Sequence, residues 1–209
     1  MKNIGGNALV IREVNIHLVR KALKELKQAT QRQLAEATGL SVVTVGTVLR
    51  HLVRENEALE TEFAASSGGR PAQQYRYNEE FALALTLFPY EKQGSIFIRR
   101  IVVSLAGNRI RDYDTTVDRV NLASLESLID QSLADYPSIQ AIGFGLPGAE
   151  FEGKMVVIDY DQLLGVSVAE HFRIRYGKPV VIENDVNAAV IGYCKRNRIA
   201  ADRSVVYFY

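Results

Sequence analysis

Cysteine is nearly missing from this 209-residue chain: Cys194 stands alone. A single cysteine excludes an internal disulfide framework and any multi-cysteine metal cluster within one chain. Long apolar runs are missing too, and the start, MKNIGGNALVIREVN, lacks the apolar core of a signal peptide. Nor is there an excess of one charge, with 25 Lys and Arg against 24 Asp and Glu. With 47% hydrophobic residues, that balance excludes a chain kept disordered by its composition. The expectation is a soluble cytoplasmic protein, long enough for one large domain or two small ones.

The near-neutral total hides an asymmetry. Residues 1–78 carry eleven Lys and Arg against seven Asp and Glu, a net +4, whereas residues 79–209 carry fourteen against seventeen, a net −3. A basic front and a mildly acidic back suggest separate jobs, with nucleic acid a candidate partner for the front.

The front reads as three helices. In VIREVNIHLVRKALKELKQ, Ile16, Val19, Leu23 and Leu26 recur at helical spacing and predict a buried stripe. Thr30 offers an N-cap for QRQLAEAT, and Gly39 is placed to end that helix in the left-handed conformation. Ser41 can cap VVTVGTVLRHLVRENEAL, in which Val45, Val48, Leu49 and Leu52 form the inward stripe. A short helix, a glycine turn and a longer helix make the helix-turn-helix pattern. Val42, Val43, Thr44, Gly46, Thr47 and Arg50 are then expected to face away, small residues with one arginine, suited to base edges and thymine methyls in a major groove. Ser41 and Thr44, at the amino terminus of that helix, can donate to phosphates. A small helical bundle without a ligand shares this pattern.

The segment after the third helix weighs on the choice. ALETEFAASSGGRPAQQYRYN reads as a strand, a Gly-Gly turn and a second strand with Tyr75 and Tyr77 on one face. A hairpin straight after a recognition helix is a wing. Gly69 and Arg70 at its tip would enter a narrow minor groove, and Pro71 fixes the adjacent backbone. A plain Gly-Ser linker is the alternative, but helix-turn-helix plus a basic tip favours double-stranded DNA.

From residue 79 strands alternate with helices. FALALTLF, GSIFIRRIVVSLAG, RIRDYDTTV, AIGFGL, KMVVID, PVVIE and a closing SVVYFY are strand-like, whereas NLASLESLIDQSLADY, SVAEHFRIRYG and DVNAAVIGYCKR are helical. That order predicts an α/β unit, a mixed sheet flanked by helices, with functional groups where strands give way to helices. Two junctions stand out. In GFGLPGAEFEG, glycines including Gly145 and Gly148 surround Pro147, letting backbone amides approach a ligand. In VVIENDVNAA, Asn184 and Asn187 carry amides suited to sugar hydroxyls, and Asp185 can accept a hydroxyl hydrogen or act as a base. A plain turn and an N-cap box are the alternatives.

GLSVVTVGTVLRHLV, SSGGRPAQQYRYN, GFGLPGAEFEG and PVVIENDVNAAVIGY, in this order over nearly the whole chain, resemble the ROK family of repressors, open reading frames and sugar kinases. The resemblance implies a winged helix-turn-helix domain over residues 1–78. Behind it, over residues 79–209, it implies the first lobe of an actin-like, ribonuclease H-like fold with the second lobe missing. It also implies a homodimer that regulates carbohydrate genes in response to a sugar or sugar-phosphate effector. Asp185 matches the family's catalytic aspartate, Asn184 a sugar-contacting asparagine, and Gly145, Pro147 and Gly148 border the same pocket.

Departures from the family argue against an enzyme. Kinase members carry an Asp-Gly-Thr type phosphate loop after the first strand of this domain. Here LTLFPYEKQG offers no Asp and is expected to make no tight glycine turn. The second phosphate loop and the cysteine-rich zinc site of the family fall beyond residue 209. His17, His51 and His171 show no metal spacing. Val166-Ser167 stands where many members carry a tryptophan. No cofactor is expected, and a regulator whose back domain only dimerises is the other reading. The apolar end at Tyr209 needs cover, which suggests a fragment or a partner chain.

Overall fold

The computed structural model describes residues 4–63, 71–200 and 203–206. The chain forms two compact units, Met1–Phe81 and Ala82–Tyr209.

In the front unit α1 (Ile4–Leu26) leads through β1 (Gln28–Thr30) into α2 (Gln31–Thr38), α3 (Val42–Arg54), β2 (Ala58–Phe63) and β3 (Gln73–Tyr77). The caps follow the local chemistry. Thr30 and Gln33 close a reciprocal capping box at the start of α2, and Gly39 ends it at φ 70°. Ser41 caps α3 by accepting from the Thr44 amide at 3.0 Å. Val45, Val48, Leu49 and Leu52 of α3 are buried against Val19 and Leu23 of α1 and Leu34 of α2, with Tyr77 closing the cluster. Each such side chain contributes about 1.5–3 kcal/mol through its removal from water.

Four front-unit expectations need correction. Leu26 is 45% exposed, because α1 ends there and Lys27, at φ 62°, turns the chain into β1; Ala22, one turn earlier, takes the core position. The third helix stops at Arg54, and Ala58 and Leu59 belong to β2. Gln28 lies in β1 rather than in the first helix. β1 pairs antiparallel with β3, giving a three-stranded sheet in the order β1-β3-β2. Gly46 is buried beneath the Gln31 side chain instead of facing out.

The back unit begins with the antiparallel strands β4 (Leu83–Lys92), β5 (Ser95–Ser104) and β6 (Arg109–Val117), followed by α4 (Leu122–Asp135) and β7 (Ile139–Leu146). The short hairpin β8 (Gly148–Phe151) and β9 (Lys154–Ile158) comes next, then α5 (Val168–Tyr176), β10 (Val180–Asn184) and α6 (Asp185–Arg196). The main sheet is mixed, in the order β10-β7-β4-β5-β6, with β7 parallel to both β4 and β10. Leu85, Leu87, Phe144 and Ile98 bury one face under Leu125 and Ile129 of α4 and Phe172 of α5. The rings of Phe144 and Phe172 stack at 5.1 Å.

Two corrections belong here. A tight glycine turn does follow β4: Gln93 and Gly94, at φ 53° and 75°, close the β4–β5 hairpin, the left-handed pair that a two-residue hairpin turn requires. Of the expected closing strand SVVYFY, residues 204–206 form no strand among the described residues, and residues 207–209 lie outside them. No helix among the described residues is long and apolar enough to cross a membrane.

Candidate nucleic-acid interface and ligand pocket

On α3 the inward stripe leaves an outward one, and most of the expected residues lie on it. Val43 is 78% exposed, Val42 49%, and Ser41, Thr47 and Arg50 are exposed as well. Thr44 is half-buried. The stripe is held in order by its own hydrogen bonds. Arg50 Nη2 donates to Thr47 Oγ1 at 3.0 Å, and Thr47 Oγ1 donates to the Val43 carbonyl at 3.1 Å. Ser41 Oγ and Thr44 Oγ1 lie 2.8 Å apart, so one of their two hydroxyl hydrogens is shared between them and the other is free to donate. Gln31 Nε2 donates to the Val42 carbonyl at 2.7 Å, tying the start of α3 to α2. Gly69 and Arg70, the expected tip residues, lie outside the described residues.

Sequence reasoning missed the groove beside this stripe. A hollow of about 650 Å³ runs between α1, the carboxyl-terminal half of α3 and the sheet, and its lining includes Arg12, Arg50, His51 and Arg54. Glu60 is the one carboxylate in that lining. Arg12 was hidden because periodicity shows only that it lies off the buried stripe of α1, not what it faces. Arg54 Nη2 donates to His51 Nδ1 at 2.9 Å, and Arg54 Nε donates to Glu55 Oε1 at 3.1 Å.

In the back unit the register brings both sequence motifs together. Glu183 pairs with Gly145, and Asn184 with Leu146, so the start of α6 sits beside the β7–β8 turn. Asn184 is heavily committed there. Its Oδ1 accepts from the Val186 and Asn187 amides at 3.0 and 3.2 Å, and its Nδ2 donates to the Gly148 carbonyl at 3.1 Å. Glu183 Oε1 accepts from the Asn187 side chain at 3.1 Å. Asp185 Oδ1 accepts from the Val186 amide at 2.9 Å.

The glycines answer to packing. A Cβ on Gly145 would fall 2.2 Å from the Phe88 ring, and one on Gly148 would fall 2.2 Å from the Val157 carbonyl oxygen. A side chain at Gly145 would thus meet Phe88, and one at Gly148 would meet β9. Pro147 accepts from the Asp159 amide at 3.3 Å, which holds the same turn against the hairpin. Beside these groups lies Tyr160, which no sequence pattern singles out. Burial, reinforced by the negative charges of Glu91, Asp159 and Asp185, pushes its phenol up to about 12, so it remains a hydrogen-bond donor at neutral pH. No group of three or more His, Cys, Asp or Glu among the described residues could hold a metal ion.

No family model matches the chain. Against the xylose repressor of Bacillus subtilis (strain 168) it is 23% identical over 191 residues, 87% of this chain and 49% of that protein. Against the xylose repressor of Caldicellulosiruptor bescii it is 23% identical over 198 residues, 90% of this chain and 49% of that protein. A solved ROK family transcriptional regulator, described as a homologue of the E. coli MLC protein, superimposes with a TM-score of 0.56 at 20% identity, over 88% of this chain and 48% of that one. The α/β fold with its mixed sheet matches that regulator's fold. The chain spans about half the length of the curated relatives it matches.

Proposed function

We propose that this chain is the DNA-binding and first sensory portion of a transcriptional repressor of sugar-related genes, acting in the cytoplasm. The observation that carries the reading is the outward stripe of α3. A capped helix presents Val42, Val43, Thr47 and Arg50 to solvent, ordered among themselves and needed by no part of the core. In this reading α2 and α3 are a helix-turn-helix, α3 enters the major groove, and the β2–β3 hairpin is a wing whose tip residues Gly69 and Arg70 reach the flanking minor groove. Ser41 and Thr44 contact phosphate at the amino terminus of α3. Two copies would bind a pseudo-palindromic site, with half-sites about one helical turn apart. The relatives' names point to a sugar-linked operator.

The back unit, in this reading, is the first lobe of an actin-like fold, and its effector pocket lies around Pro147, Asn184 and Asp185. The same unit favours a second reading in which it only dimerises, since Asn184, Gly145 and Gly148 are occupied in packing. A kinase is the least supported reading, because Gln93 and Gly94 close a plain hairpin where kinases carry a phosphate loop. The test is selection from a random duplex pool on the purified chain. Enrichment of one motif with a two-fold repeat supports a sequence-specific regulator. Binding that is salt-dependent but enriches nothing would overturn it, since phosphate attraction alone gives that result.

A further inference from the structure

Among the described residues of the back unit, Arg100 of β5 is the one charged side chain that is buried, at 5% exposed. Its hydrogen-bond partners are all neutral: the Leu128 carbonyl at 3.1 Å, Gln131 Oε1 at 3.4 Å, Ser132 Oγ at 3.2 Å and Thr115 Oγ1 at 3.1 Å. Its Nε–H has no partner. A buried guanidinium is ordinarily matched by a hydrogen-bonded anion, because its charge is costly in a low-dielectric interior; here Asp135 bears on Arg100 through its charge alone.

A second arginine stands nearby. The Arg100 guanidinium lies 4.2 Å from the centre of the Tyr113 ring, and that of Arg111 lies 5.9 Å from the same ring. Arg100, Arg111, Tyr113, Asp135 and Tyr136 line a cleft of about 470 Å³, within the range of small-molecule sites. Arg111 and Tyr113 belong to β6, the edge strand of the sheet, and Asp135 and Tyr136 to the end of α4. Where a sheet edge beside a helix would ordinarily place apolar side chains, this one gathers two cations, two phenols and one carboxylate.

We propose that the cleft between β6 and the end of α4 is an oxyanion site, in which Arg100 and Arg111 hold the carboxylate or phosphate group of a small metabolite. Arg100 Nη1 is used by α4. Its Nη2 serves Thr115 and its Nε–H is shut off from solvent, so Arg100 acts on the anion through its charge, and the exposed Arg111 supplies the N–H fork that can pair two oxygens of one anionic group. Tyr113 and Tyr136 add hydroxyl donors, and Asp135 supplies an acceptor for a hydroxyl on the same molecule. The site is separate from the Asn184 pocket and does not depend on DNA binding.

The test is calorimetric titration of the whole chain with inorganic phosphate and, separately, with acetate, each at constant ionic strength against chloride. Saturable binding of at least one of the two is expected. Arg111→Gln, checked by circular dichroism to be folded, should weaken that binding by about tenfold or more. Saturation by phosphate alone assigns a phosphate ester, and saturation by acetate alone assigns a carboxylate. Absence of saturation by either anion, or an unchanged titration in Arg111→Gln, overturns the site.

Discussion

The two units use the same kinds of residue to opposite ends. In the front unit the candidate side chains stand outside the folding problem: among the described residues, Val43, Thr47 and Arg50 bond only to one another and to their own helix. In the back unit the corresponding candidates hold the fold. Asn184 caps α6 and ties it to the β7–β8 turn, while Gly145 and Gly148 leave room for Phe88 and the Val157 carbonyl. Binding and stability should therefore separate cleanly in the front and be entangled in the back.

Substitutions can break or sharpen that contrast. The largest effect is expected for Phe172→Ala, which empties a fully buried ring site between Phe144 and Tyr176 and should cost the back unit about 3–5 kcal/mol in chemical denaturation. Gly148→Ala comes next, at about 3 kcal/mol, because its new methyl would meet backbone and not a movable side chain. A Gly148→Ala protein of native stability would return the β7–β8 turn to the ligand reading. Arg50→Ala should lower affinity for a selected duplex by about 1–3 kcal/mol while shifting stability by less than about 0.5 kcal/mol. Asn184→Ala should do the reverse, losing about 1 kcal/mol or more of stability as a cap is removed and leaving duplex affinity alone.

The smallest effect concerns pH. Two hydrogen bonds from Arg99, at 2.8 Å each, hold the Asp112 carboxyl below its usual range, with Arg109 adding to the effect. A depressed folded-state pKa means that the carboxylate stabilises the fold above its unfolded pKa of about 4, and that this contribution is lost as pH falls through the folded value. Asp112→Asn should lower stability near neutrality by less than about 1 kcal/mol, since the pair is partly exposed, and should flatten the acid limb of the stability profile.

Much of this was legible in the sequence, and what was not shares one cause. The caps at Thr30, Gly39 and Ser41, the buried stripe of α3 and the whole of α6 were readable because each is decided within a few residues. β1 was not, since three residues become a strand only because β3 lies beside them. Gly46 looked outward by periodicity and is buried because Gln31, fifteen positions earlier, folds over it. The same holds for the sites: Thr47 and Arg50 follow from helical spacing alone, whereas Arg12, Tyr160 and Arg100 acquire meaning only from residues brought to them by the fold. Gly145 and Gly148 were read as letting backbone amides approach a ligand, and the sequence could not say that Phe88 and the Val157 carbonyl lie against them.

The central claim, that the outward stripe of α3 reads base sequence, is tested most directly by one binding experiment. The affinities of the unaltered chain and of Thr47→Ala/Arg50→Ala would be measured for a selected duplex and for a scrambled one at the same salt concentration. The double variant, still folded, is predicted to bind both duplexes with the weak affinity that the unaltered chain shows for the scrambled one. An undiminished preference for the selected duplex in that variant would contradict the claim.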